Sequence, residues 1–146
     1  MTEKSNLAKP ILGYSDTETV KLDLDDTPFK VVKEWASRAM KWFRLKGFLI
    51  LRSSENCYHV VFDREVSWSE NMRIVAWVAL SSRFEKLKTW FLMQCIKESS
   101  TLRVSRKKEK PSPRIVYRYG EQDEGIQSFM AHRRHIKKII RIMCNG

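Results

Sequence analysis

The feature that most constrains the fold is a change of hydrophobic periodicity near the start of the chain. Residues 19–25 (TVKLDLD) alternate strictly between apolar and polar side chains, which is typical of a half-buried β-strand. From Val32 to Phe43, apolar residues recur instead at the spacing of one helix face. Thr27 and Pro28 lie between the two patterns and match the preferred residues for an N-cap and a first helical position. The segment therefore predicts a strand that leads directly into an amphipathic helix capped by Thr27.

The same two periodicities predict the remaining elements. Strands are expected at 48–52, 57–63, 101–105 and 114–119, and helices at 67–80, 84–98 and 123–142. The order β-α-β-β-α-α-β-β-α predicts the α+β class: an antiparallel sheet with helices packed on one side, around an RRM-like β-α-β-β core. Residues 1–18 are predicted to be a flexible N-terminal arm, and residues 19–146 a single domain.

Composition narrows the function classes. Hydrophobic residues make up 42% of the chain, enough for a packed core. Lys and Arg number 28 against 17 Asp and Glu, a net charge of +11. This excess favours a phosphate backbone or another anionic partner over a basic surface kept for solubility.

Cysteine spacing and hydropathy point to a cytoplasmic protein without a membrane partner. Cys57, Cys95 and Cys144 are far apart and match no zinc spacing, so we expect free thiols in a reducing compartment. The first residues are polar, and the longest apolar runs, such as 75–80, are too short to span a bilayer.

Asp23 and Asp25 are the first candidate site. Two carboxylates two residues apart on a strand project from the same face, roughly 6–7 Å apart. Carboxylates placed this way suit Mg²⁺ or Mn²⁺ and are typical of phosphoryl-transfer sites. The alternative is an exposed polar strand face that ends at a helix cap.

His59, with Ser53 and Ser54 in the preceding turn, is the second candidate. It falls at mid-strand on the sheet face expected for the acids, where its ring and the turn hydroxyls would contact a nucleotide phosphate. The alternative is a sheet-face histidine with a hydrogen-bonded partner.

Residues 101–120 form the third candidate, a basic segment with interleaved aromatic rings. Cations grip phosphates and aromatic faces stack on bases, so the combination favours single-stranded DNA or RNA. The alternative is a solvated hairpin tip. The binding candidates in the segment are Arg103, Arg106, Lys107, Lys108, Lys110, Arg114, Tyr117, Arg118 and Tyr119. The basic helix at 132–141 is a further phosphate-contact candidate.

Three short motifs together resemble the archaeo-eukaryotic primase superfamily over roughly residues 19–119. KLDLDD resembles its hydrophobic-Asp-hydrophobic-Asp motif, RSSENCYHVVF its Ser-x-His motif, and LRVSRK its arginine-bearing strand. In the second motif Ser54 lies five residues before His59. The resemblance implies a small primase-like domain in DNA replication. In it Asp23 and Asp25 would hold metal, and His59, Arg103 and Lys107 would contact nucleotide phosphates.

One departure from that family keeps catalysis open. The family's third motif supplies another acid from a later strand, and neither LRVS nor RIVYR contains one; Asp63 is on a different strand. A non-catalytic primase-type subunit, of the kind found in archaea, or an RRM-like single-strand binder therefore fits as well. In that case Tyr58, Tyr117 and Tyr119 would stack on bases. A ribonucleoprotein component held by charge alone is a third alternative.

The alternatives predict different partners and a different environment for the acids. A catalytic protein would bind nucleotides as well as single strands, and a subunit would bind other replication or primase subunits. Carboxylates at Asp23 and Asp25 that were paired with Lys21 or with arginines would favour binding without catalysis.

Overall fold

The computed structural model of the protein describes residues 10–145, and within them it contains two antiparallel sheets and four helices. The α+β class predicted from the sequence is confirmed. The strands are β1 (Gly13–Asp16), β2 (Thr19–Leu24), β3 (Gly47–Ser54), β4 (Cys57–Glu65), β5 (Ser100–Arg103) and β6 (Arg114–Gly120). The helices are α1 (Phe29–Trp42), α2 (Trp68–Ser82), α3 (Glu85–Lys97) and α4 (Gly125–Asn145).

The larger sheet has the strand order β2-β4-β3-β6, so the long strand β4 lies inside it. Val60 and Phe62 of β4 and Ile50 of β3 face the main hydrophobic core. Helices α1, α2 and α3 cover that face, as their apolar stripes predicted. Ser67 accepts a hydrogen bond from the Glu70 N–H, as the capping pattern at the start of α2 predicted.

The opposite face of the same sheet is also covered. Leu49, Leu51 and Val61 form a second core with Ile126 and Phe129 of α4. Helix α4 therefore packs on the side away from the other three helices, whereas the sequence predicted all helices on one side. The physical reason is that β3 and β4 carry apolar residues at successive positions, so both faces must be shielded from water.

The smaller sheet pairs β1 with β5, Gly13 opposite Arg103 and Asp16 opposite Ser100. Residues 13–16, expected within a flexible arm, thus form a strand whose Tyr14 side chain is buried; residues 1–9 of that expected arm lie outside the described residues. Strand β6 pairs with β3 and not with β5, so the hairpin expected over 101–119 does not form.

Asp63, near the end of β4, caps the start of α4. Its carboxylate accepts hydrogen bonds from the backbone N–H groups of Asp123 (3.0 Å), Glu124 (2.8 Å) and Ile126 (3.2 Å). These N–H groups have no partner within the helix, and a negative charge there is favourable. Asp63 is fully buried in this role, so it is not a ligand of the candidate site.

A buried ion pair joins the two sheets. The side chain of Lys21 is fully buried, and its Nζ lies 2.5 Å from Asp16 Oδ1. Lys21 also donates to the Ser100 hydroxyl at 2.9 Å and to the Ser100 carbonyl at 3.1 Å. One lysine thus binds β2 to both strands of the smaller sheet.

We expect Asp16→Asn to destabilise the protein by about 3 kcal/mol, because it leaves the buried ammonium of Lys21 without a counter-charge. The double variant Asp16→Asn/Lys21→Met should be more stable than the single one. Urea unfolding measures both. Glu34→Gln, which breaks the exposed pair with Arg38, is the control and should change stability by less than about 1 kcal/mol. Equal effects of Asp16→Asn and Glu34→Gln would contradict the assignment.

Candidate functional site

The pairing of β2 with β4 brings two of the predicted site residues together. Asp23 lies directly opposite His59 in the register, and the His59 Nε2 atom is 3.6 Å from Asp23 Oδ1. The histidine is buried, while the carboxylate side chain of Asp23 keeps 28% of its surface exposed. Both side chains face away from the core beneath α1–α3, as the alternation of the strands predicted.

Asp25 follows the last residue of β2, where the chain turns toward α1. The Thr27 hydroxyl donates to the Asp25 carbonyl at 2.8 Å, and the Thr27 N–H donates to the Asn56 carbonyl at 2.8 Å. These bonds fix Asp25 beside the β3–β4 turn. Thr27 is therefore not the side-chain cap predicted for α1: the helix begins at Phe29, Pro28 holds the N-cap position and no side chain bonds to it.

A tight turn in the β5–β6 loop presents two lysines side by side. Lys107 and Lys110 exchange two backbone hydrogen bonds, of 3.0 and 2.8 Å, and Lys108 at the turn has a φ of 53°. Residues opposed in an antiparallel pair point to the same side, so both lysines are directed together.

These elements enclose one pocket of about 260 Å³. Its lining residues are Ile11, Asp23, Asp25, Ser53, His59, Arg103, Lys107 and Lys110. Seven of these eight were singled out from the sequence. They come from β2 and the residue after it, from β3, β4 and β5, and from the β5–β6 loop. Ile11 is the exception, because nothing in the sequence indicated that the segment before β1 reaches the site.

Burial and charge shift the proton affinity of the two central groups in opposite directions. Burial, and then the charge of Asp25, raises the pKa of Asp23 to about 7, against the opposing pull of the pocket cations. Burial, and then the charges of Arg103 and Lys110, lowers the pKa of His59 to about 3. The histidine is therefore neutral near pH 7, whereas Asp23 is protonated in about half of the molecules at that pH.

Within residues 10–143, neither carboxylate has a lysine or arginine at ion-pair distance, and the basic side chain nearest to Asp23 there is the His59 ring, at 3.6 Å. Lys21 is bound to Asp16, and the guanidinium of Arg103 donates to the carbonyls of Ser105 and Pro111. The neighbouring Asp26 points elsewhere, 2.5 Å from Lys86. The pairing that would have favoured binding without catalysis is thus not observed for Asp23 and Asp25.

Other predicted binding residues lie outside this pocket. Arg106 and Lys108 are exposed on the β5–β6 loop, and Arg118 is exposed on β6 opposite Leu49. Ser54 and Arg114 line a second cavity, together with Ser53 and with Arg52, a residue not predicted from the sequence. A charged residue inside the apolar run FLILR was the available signal for Arg52.

The tyrosines expected to stack on bases lie on the face of the sheet that α1, α2 and α3 cover. Tyr58 is buried against Phe29, and Tyr117 packs between Phe29 and Phe48 with the Lys33 ammonium over its ring. Tyr119 stacks on Phe48 and is 49% exposed. The structure therefore does not bring these rings to the pocket, and only Tyr119 offers an open face.

Helix α4 supports the loop that carries the lysines. The Arg133 guanidinium donates to the Pro113 carbonyl at 3.1 Å, which ties the helix to the end of the loop. His132 contacts the Tyr14 ring and the Ser128 carbonyl. Across the described part of the chain, no group of three His, Cys, Asp or Glu side chains has the arrangement of a metal site.

Comparison with known proteins yields no relative: no family model, no curated protein and no solved structure matches this chain. The resemblance to the primase superfamily therefore stays a prediction. Among residues 10–145, no helix has both the length and the hydropathy needed to cross a bilayer.

We expect Asp23→Asn to stabilise the protein increasingly as pH rises. Between about pH 4 and 7 the folded state keeps a proton on Asp23 that the unfolded state has released. The contribution of Asp23 to the free energy of unfolding of wild type is therefore present below pH 4 and is lost as pH rises through 7. At pH 8 the gain over wild type should be about 1–3 kcal/mol. Urea unfolding from pH 4 to pH 8 measures it.

Asp26→Asn is the matched control, since it neutralises an exposed acid three residues away. Its stability relative to wild type should not rise across this pH range. A constant difference between Asp23→Asn and wild type at all pH values would contradict the environment described for Asp23.

Proposed function

We propose that this protein binds nucleotides and single-stranded nucleic acid at the pocket of Asp23 and Asp25, and that it catalyses metal-dependent nucleotidyl transfer of the primase-polymerase type. One observation carries the proposal: Asp23 and Asp25, which have no lysine or arginine at ion-pair distance among the described residues, face three cationic side chains across a single pocket. Acids alone would repel a phosphate, and cations alone would serve only to bind one. Their combination is typical of sites that transfer phosphoryl groups with a divalent ion.

Asp23 and Asp25 are the residues that would hold Mg²⁺ or Mn²⁺. Mg²⁺ is commonly bound through one or two carboxylates, several waters and the substrate phosphates, so two protein carboxylates are a sufficient donor set. The pKa of Asp23 is raised first by burial and then by the charge of Asp25, and a divalent cation would offset both effects because it stabilises the charged form of each carboxylate. When bound, the ion would supply positive charge to the phosphoryl oxygens.

The three cations divide into one fixed and two adjustable groups. Arg103 is held in place by the backbone carbonyls of Ser105 and Pro111. Lys107 and Lys110 are exposed and project from a turn, so their ammonium groups can follow a phosphate as it binds. Together they would orient a polyphosphate chain toward the carboxylates.

His59 contributes to ligand binding at the pocket as an uncharged side chain. At a pKa of about 3 it carries no charge near pH 7, so it would add no charge repulsion to a divalent ion held by Asp23, whose Oδ1 lies 3.6 Å from the His59 Nε2. Its buried ring lines the pocket beside Asp23, whose side chain keeps 28% of its surface exposed. We assign it a positioning role beside the carboxylate and a hydrogen bond to the bound phosphate.

The second candidate function is a non-catalytic primase-type subunit that binds single strands and other replication subunits. It is favoured by one observation: within the described chain, the pocket contains two carboxylates and no third acid. An RRM-like use of the sheet surface is less favoured, because both faces of the sheet are covered, Tyr58 is buried in the core and Tyr117 packs against it.

A metal titration tests the donor set. We expect millimolar Mg²⁺ or Mn²⁺ to raise the melting temperature of wild type, with a stabilisation of about 2.7 kcal/mol at one hundred times the dissociation constant. The shift should be smaller at pH 6 than at pH 8, since the ion competes with the proton on Asp23. Differential scanning calorimetry measures it. Asp23→Asn/Asp25→Asn should abolish the shift and Asp26→Asn should retain it; equal shifts in both variants would rule out this metal site.

Nucleotide incorporation tests the activity. Wild type is expected to add labelled nucleotides on a single-stranded DNA template with Mg²⁺ or Mn²⁺, and Asp23→Asn/Asp25→Asn to fall by more than about 100-fold, or about 2.7 kcal/mol of transition-state stabilisation. Gel electrophoresis of the products measures this, with Asp26→Asn as the control. Retained activity in the double variant would contradict the proposal that Asp23 and Asp25 are required for catalysis. Tight single-strand binding by an inactive wild type would establish the second candidate instead.

A further inference from the structure

A second cavity, of about 440 Å³, lies where β3 ends and β6 begins, beside the β5–β6 loop. Its charged lining residues are Arg52, Arg114 and Glu55, and Ser54 and Ser112 add hydroxyl groups. It is larger than the pocket of Asp23 and Asp25, and the proposed chemistry of that pocket does not use it.

Arg52 and Arg114 lie directly opposite each other in the pairing of β3 with β6. Like charges in opposed positions of an antiparallel pair destabilise the sheet. In the residues that the structure describes, neither guanidinium has a carboxylate at ion-pair distance; the Arg52 Nε donates only to the Ser54 carbonyl, at 3.4 Å. Two arginines are thus held together with most of their donors free.

We propose that Arg52 and Arg114 form a binding site for phosphate groups, an inference that rests on the proposed function and extends it. A guanidinium presents a planar fork of donors that matches phosphate oxygens, and a bound anion removes the repulsion between two such groups. Ser54 and Ser112 add neutral donors to the same cavity. Glu55 is exposed at its edge and leaves the net charge of the lining positive.

The cavity adjoins the first pocket, since Ser53 lines both. Ser53 itself is buried, and its hydroxyl donates to the Cys57 carbonyl at 3.2 Å. The class of ligand that fits Arg52 and Arg114 is a molecule that carries several phosphate groups. Both the backbone of a nucleic-acid strand and the polyphosphate of a free nucleotide have this chemistry.

The test compares Arg52→Gln/Arg114→Gln with Arg38→Gln/Arg73→Gln, which removes two exposed arginines from α1 and α2. Two probes are used at several salt concentrations: a fluorescent single-stranded oligonucleotide of mixed sequence, and a nucleoside triphosphate. We expect the first variant to bind the oligonucleotide about tenfold more weakly and its salt slope to fall by about 1.4, from two lost phosphate contacts. The control variant should bind both probes like wild type.

The two probes identify the source of the phosphate. Loss of oligonucleotide binding alone places a strand backbone in the cavity, and loss of both places the nucleotide polyphosphate there; each supports the site. Binding of both probes equal to that of the control variant would overturn it. Arg114→Gln alone, at an exposed position, is the second variant if the double one does not fold, and it should show about half the change in salt slope.

The binding test of Arg52→Gln/Arg114→Gln can fail independently of the proposed function. The proposed function is tested instead by nucleotide incorporation in wild type and in Asp23→Asn/Asp25→Asn. An active wild type with unchanged binding in Arg52→Gln/Arg114→Gln overturns only the phosphate site. An inactive wild type whose oligonucleotide binding depends on Arg52 and Arg114 overturns only the catalytic proposal.

Discussion

The antiparallel pairing of β2 with β4 decides which side chains meet in the candidate site. It sets Asp23 against His59 on the face away from α1–α3, and the same alternation directs Lys21 toward the smaller sheet. The buried contact between Lys21 and Asp16 then holds β1, and so β5, over that face. Arg103 and the loop beyond it reach the pocket only because β5 is held there. A change in the register of β2 by one residue would exchange the apolar and polar sets and remove the site altogether.

Local patterns in the sequence predicted most elements and most of the pocket, and long-range pairing explains what they missed. Strict alternation in β2 and helical spacing in α1 are properties of short segments, so they predict the α+β class and place Asp23 and Asp25 on one face. The pairing of β1 with β5 joins residues nearly ninety positions apart through four-residue strands. No short-range signal distinguishes this pairing from a hairpin between β5 and β6, and the hairpin was accordingly expected in its place.

Polar and aromatic residues illustrate the same limit at the level of single side chains. Asp63 and Asp23 both follow apolar positions in a strand, yet Asp63 binds the free N–H groups of a helix, whereas Asp23 faces the pocket with only the His59 ring beside it at 3.6 Å and no lysine or arginine at ion-pair distance. Tyr58 and Tyr117 have the composition of a base-stacking surface, but α1 covers their face of the sheet through Phe29. The sequence shows which groups have the right chemistry; only the packing of α1 and α4 shows which of them remain free to bind a ligand.

The turn that carries Lys107 and Lys110 gives the site an unusual dependence on loop length. Its two backbone hydrogen bonds hold the backbones of Lys107 and Lys110 side by side, and Lys108 between them has the left-handed conformation that residues other than glycine rarely adopt. Insertion or deletion of one residue would displace both ammonium groups together while the sheet and the carboxylates stayed in place. Variation in this single loop is thus a route by which related sequences could retain the acidic half of the site and gain or lose its basic half, without cost to the core.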